Sequence, residues 1–106
     1  MIDKRTLETI LSDQQEELAS YLNDRSGECD FIVCKGNRVV QAIQVSYDIS
    51  SEKTRKREIK GLLLAARQTG CDNLLLLTDH ENGEIEESSY KIKVQTVYEW
   101  CLESGI

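Results

Sequence analysis

Glu28, Asp30, Gln44 and Ser46 have the types and spacing for divalent-cation chemistry within one short stretch. Asp30 offers a charged oxygen and Gln44 a neutral carbonyl oxygen, both hard donors of the kind Mg²⁺ accepts. In an extended strand side chains two apart share a face, so Glu28 aligns with Asp30, and Gln44 with Ser46. A cation held there would polarise a phosphoryl oxygen or activate a water. Phosphodiester cleavage also wants a basic group beside the phosphoryl, yet position 46 carries Ser46. The cations that could take its place come from the segment just after it: Lys53, Arg57 and Lys60.

These residues need a hairpin to bring them together. Residues 27–33 alternate as a strand, the Lys35 to Arg38 stretch is a turn, and residues 39–46 alternate as the return strand. Alternation puts Cys29, Phe31 and Val33 on one side of the first strand, with Asp30, Ile32 and Cys34 on the other. On the second, Val40, Ala42, Gln44 and Ser46 share a side. Before the hairpin, Leu7, Leu11, Leu18, Tyr21 and Leu22 recur at helical spacing, which predicts an amphipathic helix over residues 4–24, stopped by Asn23 to Gly27. After it, Asp48 to Glu52 is a turn rich in capping side chains, and a helix with Ile59, Leu62, Leu63 and Ala66 inward runs to a stop at Gly70. Leu74 to Leu77 is a strand apolar on both faces, which needs cover on both sides of its sheet. Residues 84–86 and 90–94 form a hairpin or a single edge strand, and Val97 to Leu102 a closing helix. A layered α/β domain follows.

The bulk properties set limits. One domain suits 106 residues, with 40% hydrophobic and 30% charged residues arguing for a folded chain. No apolar run reaches the about 18 residues of a membrane span, and the start has no apolar signal region, so the expectation is a cytoplasmic protein without membrane contact. Cysteines at 29, 34, 71 and 101 make no Cys-x-x-Cys knuckle, and the sole histidine, His80, lies in a turn; they read as buried or incidental thiols. No phosphate-binding G-x-x-x-x-G-K-[ST] loop is present, nor a nucleophile elbow to give Ser46 and His80 a triad. Tyr98 and Trp100 read as packing groups.

Lys53, Arg55, Lys56, Arg57 and Lys60 stand against only Glu52 and Glu58, a basic segment in a chain of net charge −6. A basic helix face can meet phosphates, but the negative total opposes unspecific attraction to DNA. A solvated or protein-docking face fits the charges as well.

Gly27 to Val33, Val40 to Tyr47, the Ser50 to Lys60 helix start, Leu62 to Ala66 and Gly70 to Thr78 together resemble the C-terminal domain of a family of prokaryotic ATPases of the AAA type. That domain is similar to the PD-(D/E)XK, restriction-endonuclease-like fold. The resemblance covers residues 27–102 and implies a three-layer α/β core, a mixed sheet flanked by helices; residues 1–26, with the amphipathic helix that periodicity predicts, precede that core within the single domain. It implies metal ligands at Asp30 and Gln44, a lysine at the place of Ser46, and a helix-borne acid for which Glu8 is the nearest candidate.

The expected function is that of a noncatalytic nuclease-fold accessory or interaction domain serving an ATPase-type system, needing no cofactor. Its basic helix would dock a partner protein or nucleic acid. Two alternatives stand beside it: a Mg²⁺-dependent nuclease with Glu28, Asp30 and Gln44 as ligands, and a structural module that self-associates, as a homodimer for instance.

Overall fold

The computed structural model describes residues 17–18, 22–24, 27–36 and 38–103, with side chains from residue 29 onward. Its strands are β1 (Glu17–Leu18), β2 (Leu22–Asp24), β3 (Gly27–Cys29), β4 (Phe31–Lys35), β5 (Arg38–Val45), β6 (Leu74–Thr78), β7 (Gly83–Glu87) and β8 (Tyr90–Thr96). The helices are α1 (Glu52–Thr69) and α2 (Val97–Glu103).

Six strands make one mixed sheet in the order β1-β4-β5-β6-β8-β7, while β2 and β3 pair separately. β5, β6 and β8 run parallel to one another, and β4 and β7 are antiparallel on either side. Thus the apolar β6 lies at the centre of the parallel part. Leu74 and Leu76 join the core on the α1 face with Ile59, Leu62, Leu63 and Ala66; Leu75 and Leu77 join Val33, Ile43 and Trp100 on the α2 face. A helix on each face gives the three layers that four consecutive leucines demand.

Local signals place α1. Its N-cap Ser51 accepts from the Thr54 amide, and Asp48 Oδ1 accepts from the Ser50 amide at 2.8 Å, shaping the turn before it. Gly70 ends it in the left-handed conformation, φ 75°, its N–H donating to the Ala66 carbonyl at 2.9 Å. The β7–β8 connection turns on Ser88 and Ser89, both at positive φ. Two successive positive φ values match the right-handed twist of a tight hairpin, here without the usual Asn-Gly.

Three expectations change. Residues 17–18 and 22–24, assigned by periodicity to a helix over 4–24, are strands; the rest of that segment lies outside the described residues. Leu18 pairs with Val33 and Leu22 with Cys29, so partners distant in sequence override a helical spacing of leucines. The strand over 27–33 is broken at Asp30 into β3 and β4, which pair with different partners. Cys29 and Ile32 consequently enter the same core, against simple alternation. A register shift between Val33 and Cys34 also turns Val40 to the α2 face while Ala42 keeps the α1 face.

Candidate functional site at the carboxyl end of the parallel strands

Asp30 occupies the bend that opens β4, and because β4 is antiparallel to β5 it lies beside the end of β5, next to Gln44 and Val45. The carboxyl ends of parallel strands are where open α/β sheets carry ligands. Asp30 and Gln44 do come together. The backbone amide of Asp30 donates to Gln44 Oε1 at 2.6 Å, and Asp30 Oδ2 accepts from the Val45 amide at 3.1 Å. These bonds extend the β4–β5 pairing one step past its last ladder pair, Phe31 with Ile43, using side chains in place of backbone.

Gln44 is 2% exposed and reaches the other way as well. Its Nε2 donates to the Glu58 carbonyl of α1 at 3.3 Å. One buried amide therefore ties the bend at Asp30 to the helix. No buried side-chain nitrogen or oxygen among the described residues is left without a partner. The same corner contains a charge that sequence reading passed over: Glu58, whose side chain is 13% exposed, with Arg57 at 3.4 Å. Nothing local marks Glu58, because it turns inward only through the packing of α1 on the sheet.

The residues expected to hold a metal are engaged by the protein itself. Gln44 Oε1 and Asp30 Oδ2 already accept backbone N–H groups, and Gln44 brings no charge. Ser46, 8% exposed, stands where a lysine was wanted and donates its own amide to the Leu77 carbonyl at 2.9 Å. Among the described residues no three His, Cys, Asp or Glu side chains form a group able to hold a metal ion. Glu28 lies in β3 with its side chain outside the described part, and Glu8 lies outside the described residues altogether. Lys53, Arg55, Lys56, Arg57 and Lys60 are all exposed on α1; Lys56 pairs with Glu52 at 3.0 Å and Arg57 with Glu58.

The rest of this rim is polar. The Asp79 amide donates to the Tyr47 carbonyl at 3.2 Å, His80 Nε2 lies 2.8 Å from Asp79 Oδ2, and the Tyr47 and His80 rings meet edge to face at 6.4 Å. The bond to Asp79 raises the Tyr47 phenol above its ordinary range, while the Ser50 amide lowers the Asp48 carboxyl.

All four cysteines are free thiols. Burial pushes the Cys29 thiol up to about 12, so it is no nucleophile at neutral pH. Iodoacetamide on the folded protein should label Cys34 and Cys101 and spare the buried Cys29 and Cys71, as read by peptide mass spectrometry. Because the folded Cys29 pKa lies above the unfolded one, its contribution to stability is complete below about 9 and is lost as pH rises toward about 12.

Comparison of the chain with protein-family models, curated proteins and solved structures gives no match. No helix among the described residues is long and apolar enough to cross a membrane.

Proposed function

We propose that the chain is a noncatalytic interaction domain of restriction-endonuclease-like architecture, working with an ATPase-type system, whose basic helix α1 docks a partner protein. One observation carries this reading: Asp30 and Gln44, the two groups a catalytic cation would need, are engaged by the Val45 and Asp30 amides and by the Glu58 carbonyl of α1. Ser46 in place of a lysine agrees with it. The ion pairs of Lys56 and Arg57 with Glu52 and Glu58, and the net charge of −6, favour a protein partner over nucleic acid.

The test is calorimetric titration of Mg²⁺ and Mn²⁺ into the wild-type chain and Asp30→Asn, with cleavage of single- and double-stranded DNA assayed in the same preparations. The asparagine keeps an oxygen for the Val45 amide and removes the charge. Neither cation binding nor cleavage is expected in either protein. Binding and cleavage that both vanish in Asp30→Asn would make the chain a metal-dependent nuclease and end this reading.

A further inference from the structure

Helix α1 does not cover the sheet out to β7. Between the two lies a cavity of about 540 Å³, with Ser50, Glu52, Arg55, Lys56 and Ile59 on the helix side, Glu52 paired with Lys56, and β7 from Glu84 to Glu87 on the other. A second, of about 250 Å³, shares Lys56, Ile59 and Glu87 and adds Lys60, Leu63 and Arg67. The floor is apolar, from Ile59, Leu63 and Ile85, and the helix wall carries four cations. From Arg55 to Arg67 the helix rises about 18 Å, the span of about five extended residues.

The opposite wall is a sheet edge. Among the described residues β7 pairs only with β8, so its other side presents backbone N–H and C=O groups to an incoming strand. Glu84 and Glu86 sit opposite Lys93 and Lys91, whereas Ile85 packs with the α1-face core. A strand added to β7 would thus meet the α1 cations, with Glu87 beside them, on one face and Glu84 and Glu86 on the other.

We infer that this groove receives an extended peptide of a partner protein, with acidic side chains toward α1 flanking one apolar residue between Ile59 and Ile85. The inference rests on the reading of the chain as an interaction domain and names the partner's chemistry. A second copy is disfavoured, because β7 against β7 sets Glu84, Glu86 and Glu87 near one another. Nucleic acid is disfavoured because it has no cationic face to set against Glu84 and Glu86, as an alternating peptide does.

The test uses two fluorescein-labelled peptides of identical composition, Ser-Glu-Lys-Leu-Lys-Glu-Ser and Ser-Lys-Glu-Leu-Glu-Lys-Ser, in fluorescence anisotropy. The first places its acids on the leucine's face and should bind about tenfold more tightly than the second. Its binding should weaken with salt and fall about tenfold in the exposed double variant Lys56→Glu/Lys60→Glu. Equal binding of the two peptides, or no binding, overturns the inference. So does tighter binding of oligothymidylate, or a dimer in sedimentation that Glu86→Pro disperses. Failure here without metal-dependent cleavage removes this inference alone; cleavage removes the reading beneath it.

Discussion

Gln44→Ala will lower the unfolding free energy by about 2 to 4 kcal/mol. The side chain is 2% exposed and ties two segments together, accepting from the Asp30 amide and donating to the Glu58 carbonyl. Truncation removes both and leaves a void between sheet and helix. Urea denaturation followed by circular dichroism measures the change; a loss under about 0.5 kcal/mol would show that the amide does not hold the bend to the helix. Gln44→Glu separates the structural role from a catalytic one. It would put a carboxylate oxygen against the Glu58 carbonyl, where only a protonated acid can donate. The pKa of the new glutamate is then raised in the folded state. Its cost is small below the unfolded value of about 4.3 and grows as pH rises above it. A variant that instead gains Mg²⁺ affinity with unchanged stability would favour a metal site.

Leu76→Ala and Leu77→Ala should each cost about 3 kcal/mol. Both side chains are 0% exposed and point to opposite faces of the central strand, Leu76 toward α1 and Leu77 toward Trp100 of α2. The pair therefore tests the two outer layers separately. For a domain of this size each loss corresponds to a fall in Tm of roughly 10 to 20 °C. A cost under about 1 kcal/mol at either position would mean that its face is not closely packed.

Much of the fold was legible because its signals are local. Four consecutive leucines can be satisfied only by cover on both sides, Ser51 and Gly70 carry the cap and stop of α1 in their own chemistry, and the Val97 to Leu102 spacing places α2. Periodicity failed where apolar residues served two patterns. Leu18 and Leu22 fit a helical stripe yet pair as strands, and Tyr98 and Leu102, apolar and in register on α2, stay exposed.

The candidate site divides the same way. Sequence alone put Asp30 and Gln44 on the two strands of one hairpin and showed that no lysine stands at position 46, whereas the register that sets them side by side depends on the shift between Val33 and Cys34. Only the tertiary structure decided what they do. The break at Asp30 turns its amide to Gln44, the packing of α1 brings the Glu58 carbonyl within reach of the same side chain, and strand order leaves β7 outermost among the described strands, with β8 inside. Each of these depends on pairings between residues far apart in the chain, whose free energy comes from burying both partners together, and no window of sequence contains both.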